Sequence, residues 1–560
     1  MNRRDFLTIS AGALAGAPLL DGQSSGAQPT HQDPSAFSRT HHGKRPHILL
    51  ISADMVSPDM YLPGRPLSTQ VRLPAIRSLM HEGCFFSNAF CTVPLCSPSR
   101  ASYLTGRYSN ILGNGEHAPS GLETQLRDSD VIFPEYLRAS GYLCRQVGKC
   151  HVGTKKFLDA FGENDHPWDR WSPPVFQDDE FLSYQRRIGV KPQKYSREIV
   201  FRMQDRKTPG NSMGGWIVQQ DGKPFPLEGH YSYYLGLQAM ETIDNFAAVG
   251  ELHKRPFYLQ LDIFDPHQPF SIPAGFEDRE RELRRSMTVP ASYQAAKERD
   301  WKAAPDEPEV IDIYRKYWGI YDENQLLDYR VAYALQMELV DKVIGMVLDH
   351  LKKRGLYDDA LVAFISDHGE MNGRHAMVDK GVYHYPDILR VPLVMKPPRD
   401  ARPARAVVDT PVSLLDLSPT ILEFAGIETA AKNDGISLHP ALRGEAIPAD
   451  RTLLFFGGWH VAVNFACGTQ HIFPDGSHFL YSYNLTSRQD VLYDMRSEDA
   501  VNLIGDDRYR DMREQMIRML GEALQADPRW SGYWGEFRLA RFNDLPAQQA
   551  GDMQKLSTRD

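Results

Sequence analysis

A chain of 560 residues with 42% hydrophobic and 24% charged residues has the composition of a folded globular protein, and it is longer than one compact core usually holds. A formal charge of -9 argues against a nucleic-acid binder, which needs a basic surface to neutralise phosphates, and offers no attraction to an anionic membrane surface. The expected organisation is a large domain with a smaller companion, and the sequence shows no internal repeats.

The amino terminus, "MNRRDFLTISAGALAGAPLL", places Arg3 and Arg4 ahead of Phe6, Leu7 and a short run of small apolar residues. That run is too brief to span a bilayer and reads as a cleaved signal, and the arginine pair points to the twin-arginine route. Residues 1–27 are read as this signal, with a retained anchor helix or a chance basic start as the other reading, and 28–44, rich in Pro, Ser, His and Gly, as a flexible leader. The mature protein is expected in the periplasm or outside the cell, without stable membrane insertion. Its six cysteines, Cys84, Cys91, Cys96, Cys144, Cys150 and Cys467, are too few in so long a chain for a disulfide scaffold, and their pairing stays open.

"PHILLISAD", ending in Asp54, is a nearly continuous apolar run, the pattern of a strand buried on both faces of a parallel sheet. "PFYLQLDIFDPH", ending in His267, and "ALVAFISDHGE", with Asp367 and His368, repeat the design. Between them "YRVAYALQMELVDKVIGMVLDHLKKRG" spaces apolar residues three and four apart and stops at Gly355, predicting a helix. Strands alternating with helices predict an α/β fold with a large mixed, mainly parallel sheet flanked by helices, and such sheets gather ligands at the carboxyl ends of their strands. Asp54, His267, Asp367 and His368 are therefore expected on one edge. Two acids and a histidine suit a divalent cation, with oxygen ligands favouring calcium and the imidazole leaving manganese or zinc open. Each alone has a bland reading, a helix cap for the aspartate and a hydrogen-bonded structural residue for the histidine.

Two further stretches stand out. "LCSPSRASYLTGR" sets Cys96 in polar company that packing does not explain, and "GKCHVG" places Lys149 and His151 after an apolar run. Trp168, Trp171, Tyr231, Tyr233 and Tyr234, in the long insertion that follows, line a pocket or fill a core with equal expectation. Residues 448–546 read as a smaller α+β unit, with a hairpin at Asp475-Gly476 and a helix near "YRDMREQMIRMLGEAL"; residues 547–560 read as a disordered tail.

With these motifs together, the sequence resembles the type I, formylglycine-dependent sulfatases of the alkaline phosphatase superfamily. Cys96, Pro98, Ser99 and Arg100 fill the family's Cys-x-Pro-Ser-Arg signature, and "LTGR" continues it. Lys149 and His151 match its Gly-Lys-x-His motif, and His267, Asp367, His368 and Lys380 follow in the family's order. "DGISLHPALRGE" and "VLYDMRSEDAVNLIG" match carboxy-terminal landmarks. The resemblance implies an alkaline phosphatase-like catalytic domain over 45–447 and conversion of Cys96 to formylglycine (3-oxoalanine) by a maturation enzyme. It also implies a metal held by Asp54, the modified Cys96, Asp367 and His368, calcium first, with manganese or magnesium as alternatives.

In the implied chemistry the aldehyde hydrate attacks sulfur, Arg100, Lys149 and Lys380 stabilise charge, His267 or Lys380 protonates the leaving oxygen, and His151 accepts a proton as sulfate leaves. The implied partners are that maturation enzyme, the twin-arginine translocase and a sulfated small molecule or glycan. The sequence departs from the family at Met55, where most sulfatases carry a second aspartate; choline sulfatases and phosphonate monoester hydrolases share this departure. A phosphonate or phosphodiester hydrolase, or an aryl or choline sulfatase, is thus the nearest alternative, ahead of a non-catalytic binding protein or a sulfotransferase.

Overall fold

The computed structural model describes residues 37–39, 45–109, 120–121, 126–162, 168–170, 172–174, 177–250, 252, 254–401, 406–429 and 433–542. The expected signal, most of the leader, the carboxy-terminal tail and Trp171 lie outside the described residues.

Seven strands form the central sheet: β1 (His47–Ala53), β2 (Cys84–Phe86), β3 (Leu143–Gly148), β4 (Phe257–Ile263), β5 (Ala360–Ser366), β6 (Leu393–Lys396) and β7 (Ala406–Val408). Their order is β7-β2-β6-β5-β1-β4-β3. The four strands β5, β1, β4 and β3 are parallel, whereas β6 runs antiparallel to both its neighbours, so the sheet is mixed. Every residue of β1, β4 and β5 is buried, which is why these strands read as apolar runs without alternation. The register pairs Ala53 with both Ile263 and Ser366. The next residues, Asp54 and Asp367, therefore leave the sheet side by side.

Three helices frame this edge: α1 (Cys96–Thr105), α2 (Tyr231–Ala248) and α3 (Glu323–Lys353). The helix expected to stop at Gly355 is α3; Asp322 caps its start by accepting the N–H groups of Asn324 and Gln325, and Gly355 takes a left-handed φ of 68° just past its end. Its buried stripe, from Leu326 to Leu351, belongs to the same core as the central strands and packs along α2.

A second sheet follows, with the antiparallel strands β8 (Leu453–Trp459), β9 (Val463–Ile472), β10 (His478–Asn484) and β11 (Gln489–Asp494), and then helices α4 (Arg510–Ala526) and α5 (Ser531–Arg541). The β9–β10 turn holds Asp475 and Gly476, with Gly476 at φ 81°. Phe456, Tyr481 and Leu492 of this sheet belong to the same contiguous core as β1 and α3. Within the stretch read as flexible leader, Phe37–Arg39 forms a strand against Ile427–Thr429. Phe37 packs on the core, a local anchor that composition does not reveal.

Candidate active site

Asp54 is fully buried at the end of β1, and its N–H donates to the Ile263 carbonyl of β4 at 3.1 Å. The chain then turns sharply, with Met55 at φ 66°. The Met55 N–H donates to Asp367 Oδ1 at 3.1 Å while its side chain is buried in the core. At the position where the resemblance leads one to expect a second carboxylate, this chain thus uses its backbone to orient one from the neighbouring strand.

Cys96 opens α1, so its side chain sits at the positive end of the helix, and no side chain caps that end. Its Sγ lies 3.2 Å from His368 Nε2 and 3.6 Å from Asp54 Oδ1. Ligand atoms of Asp54, Cys96, Asp367 and His368 all fall within 4.8 Å of one another. The donor set fits a divalent cation for a specific reason. His368 Nδ1 is 2.8 Å from the Gly369 carbonyl, which only accepts, so the ring proton is on Nδ1 and the Nε2 lone pair is left facing the cluster. Burial lowers the His368 pKa and keeps the ring in this ligating, neutral form.

Arg100, one turn along α1, is wholly buried. It donates from Nε to Asp367 Oδ2 at 2.9 Å, and from Nη1 to Asp262 Oδ1 and the Lys149 carbonyl, each at 3.2 Å. Its Nη2, 3.9 Å from Asp54 Oδ2, has no hydrogen-bond acceptor among the described residues. An orphaned guanidinium N–H in the interior is costly, and an anionic oxygen in the cleft would satisfy it. Lys149 donates to Asp54 Oδ2. Gly148 makes that approach possible: it has φ 102°, and a Cβ there would sit 2.0 Å from the Asp262 carbonyl. Burial alone would raise the Asp54 pKa, but the charges of Lys149, His267, Arg100 and His368 outweigh it and hold the carboxyl well below its usual range.

Opposite them, Lys380 donates to Asp379 Oδ1 at 3.0 Å and to His267 Nε2. His267 Nδ1 bonds to the Gln268 carbonyl, so Nδ1 carries the ring proton and Nε2 is the acceptor. Burial, with Lys380 beside it, pushes His267 down to about 3, while the nearby carboxylates hold Lys380 above its ordinary value in spite of burial. The proton on this pair therefore rests with Lys380. His151, buried with φ 59°, is pushed well below its ordinary pKa by burial and by Lys149 and Arg100, and is neutral.

All nine residues singled out in the sequence are buried around this one edge of the sheet. Two carboxylates belonging to it were missed. Asp262 lies inside β4, where an apolar strand gives no reason to single it out, yet it accepts from Ser52, Gln146, Gln260 and Arg100. Asp379, next to Lys380, is held below its usual pKa by that lysine and His267 against the effect of burial. Of the insertion's aromatics, Tyr231 and Tyr234 are buried against Phe181 at ring distances of 4.9 and 5.3 Å, and Trp168 donates its Nε1–H to the Ser172 carbonyl at 2.6 Å. Tyr231 and Tyr234 also line a cavity with Asp178, Arg187 and Gln238, so for these two both expectations hold. All six cysteines are buried and none is in a disulfide.

A mixed sheet with carboxylates and cations gathered at its carboxyl edge is the architecture of alkaline phosphatase-like hydrolases. The sequence profile of the sulfatase family matches residues 46–427, and the chain belongs to that family of sulfuric ester hydrolases. The profile of the N-sulphoglucosamine sulphohydrolase carboxy-terminal region matches 373–526. Among curated proteins, the uncharacterized sulfatase YidJ of Escherichia coli is 27% identical over 509 residues, 88% of this chain and 90% of the other. Among solved structures, the phosphonate monoester hydrolase of Silicibacter pomeroyi superposes with a TM-score of 0.66 at 21% identity, covering 86% of this chain and 96% of that one. The protein BT4656, solved with its substrate D-glucosamine-2-N,6-O-disulfate, gives a TM-score of 0.59 at 18% identity over 87% and 99%.

Proposed function

We propose that this protein is an exported sulfatase that releases sulfate from a sulfated sugar, using a formylglycine made from Cys96 and a divalent cation held by Asp54, Asp367, His368 and the modified residue. The observation that carries this reading is the buried Cys96 within the fields of Lys149 and Lys380, with Arg100 one turn along its helix keeping a donor for an anion. Burial, with the charge of Asp54 adding to it, pushes the Cys96 thiol up to about 12, so an unconverted cysteine would remain a protonated, weak nucleophile near neutral pH. The formylglycine hydrate would supply the geminal hydroxyls that attack sulfur and later expel sulfate, and the cation would supply positive charge at a sulfate oxygen.

The chain's own residues would do the rest. Arg100 Nη2 and Lys149 hold the sulfate oxygens and offset the charge that grows on them. Lys380, already protonated, gives its proton to the leaving oxygen, with His267 accepting a hydrogen bond from it and Asp379 fixing its position. His151, neutral, is the group able to accept the second proton. Export rests on the paired arginines of the amino terminus, and no helix among the described residues is long and apolar enough to cross a membrane. The substrate assignment draws on the sulfated glucosamine bound by BT4656 and on the match to the N-sulphoglucosamine sulphohydrolase region.

Met55 and the likeness to a phosphonate monoester hydrolase favour a second reading, hydrolysis of phosphonate or phosphate esters at the same site. Initial rates on a sulfated glucosamine, on para-nitrophenyl sulfate and on para-nitrophenyl phenylphosphonate decide between them. Preference for the sulfate esters supports the proposal. Preference for the phosphonate overturns it.

A further inference from the structure

The β8–β9 hairpin carries one more titratable side chain to the site. His460 stands in the turn just after Trp459, where its N–H donates to the Ala462 carbonyl at 3.0 Å. The hairpin is tied to the loop that carries Lys380. Asn464 Nδ2, on β9, donates to the Val382 carbonyl at 2.6 Å and to Asn484 Oδ1 at 2.8 Å. Tyr314 is wedged behind that loop, so closely that a Cβ on Gly381 would lie 2.6 Å from its ring and 2.2 Å from that of Tyr383.

The Tyr314 hydroxyl fixes the tautomer of His460. Its oxygen accepts from the Val382 N–H at 3.1 Å, which leaves its own proton to go to His460 Nδ1, 3.2 Å away. Nδ1 is thus an acceptor, and the neutral ring carries its own proton on Nε2, on the edge turned away from Tyr314. The ring is partly exposed, and the titratable groups that act on it are Asp379, Lys380 and His368, all members of the site. Burial lowers its pKa to about 4, so the ring is neutral near pH 7. Through Tyr314 the ring is tied to Val382, two residues beyond Lys380, and so belongs to the Lys380 side of the site. Since Lys380 is read as the donor to the leaving oxygen, that side is where the alcohol part of the substrate lies.

We propose that His460 is a substrate-positioning residue, contributed by the carboxy-terminal sheet, whose Nε2–H donates to an oxygen of the hydroxylated ring bearing the sulfate ester. The assignment rests on the sulfatase reading and deepens it: the substrate class is a polyhydroxylated alcohol, and the hairpin selects it.

The test compares D-glucosamine-2-N,6-O-disulfate with cyclohexylmethyl sulfate, a primary sulfate ester on a ring with no other polar group. His460→Ala is expected to lower the ratio of kcat/KM for the sugar to that for the alkyl ester by roughly 5- to 100-fold, mainly through KM, the range for one lost hydrogen bond that leaves a polar partner unpaired. His460→Gln keeps an amide N–H and is expected to recover most of that ratio. Nitrogen NMR of histidine-labelled protein, assigned by difference with His460→Gln, is expected to show the Nε2–H tautomer, and Tyr314→Phe is expected to mix the tautomers. An unchanged ratio, turnover of the alkyl ester alone, or a wild-type ring protonated on Nδ1 would overturn the assignment. Failure of the wild type on both sulfate esters would instead defeat the sulfatase reading, and the NMR result, which needs no turnover, keeps the two failures apart.

Discussion

Replacing Lys380 by alanine removes a buried cation bonded to His267 and, at 3.0 Å, to Asp379. If Lys380 protonates the leaving oxygen, the loss depends on how badly that oxygen needs a proton. For an alkyl sulfate the lost general acid is expected to cost about a thousandfold in kcat/KM, ~4 kcal/mol of barrier. For para-nitrophenyl sulfate, whose phenolate departs unaided, only the lost positive charge is felt, a loss of about tenfold or less. The lone substitution leaves the Asp379 carboxylate buried and unpaired, which costs ~3–5 kcal/mol of stability. The double variant Asp379→Asn, Lys380→Met removes both charges together and is the better-folded form for the assay. Initial rates on the two esters, with melting curves to verify folding, give the answer. Equal losses on both esters would refute the general-acid role and leave Lys380 a purely electrostatic residue.

Asp262→Ala strips the acceptor from Ser52, Gln146, Gln260 and Arg100 at once, and is expected to cost ~3–5 kcal/mol, read as a lower denaturant midpoint; Asp262→Asn, which keeps the shape, should lose less. Asp341 of α3 caps the Pro74–Glu82 helix through the N–H groups of Ala75 and Ile76, and burial raises its pKa to about 6. Because the folded state favours the protonated form, its contribution is greatest below about pH 4 and is lost as pH rises to about 6, a change of ~3 kcal/mol that Asp341→Asn should abolish; parallel pH–stability curves would contradict this. Chelation followed by gel filtration is expected to abolish turnover, with calcium or manganese restoring it; full activity after chelation would count against a metal at Asp54, Asp367 and His368. Since Cys96 is wholly buried, a formylglycine-generating enzyme is expected to convert a peptide spanning 95–107 but not the folded protein; conversion of the folded form would mean that the site opens far more than its burial implies.

The parts of the site legible in the sequence are those that punctuate apolar strands. Asp54 and Asp367 each stand one residue past β1 and β5 because these fully buried strands leave their first carboxylate at the sheet edge, and the register of the two strands then sets those residues side by side. Cys96 and Lys149 were legible through motif resemblance, since neither strand nor helix periodicity marks them. Asp262 was not, because it hides within β4, and what makes it stable there is four donors from β1, β3, β4 and α1. His460 was silent for a different reason: its place near Lys380 depends on a hairpin meeting Tyr314 and the Lys380 loop, residues far apart in the chain. The aromatics of the insertion could not be sorted from sequence because Tyr231 and Tyr234 do both, packing on Phe181 and lining a cavity.

The nucleophile is the centre of the account, and tandem mass spectrometry of the tryptic peptide ending at Arg100 reads it directly, from protein made in a host that converts a control sulfatase. The account predicts an aldehyde at Cys96, with Cys84 and Cys91 in the same peptide remaining thiols. An intact thiol at Cys96 beside a fully converted control would contradict it.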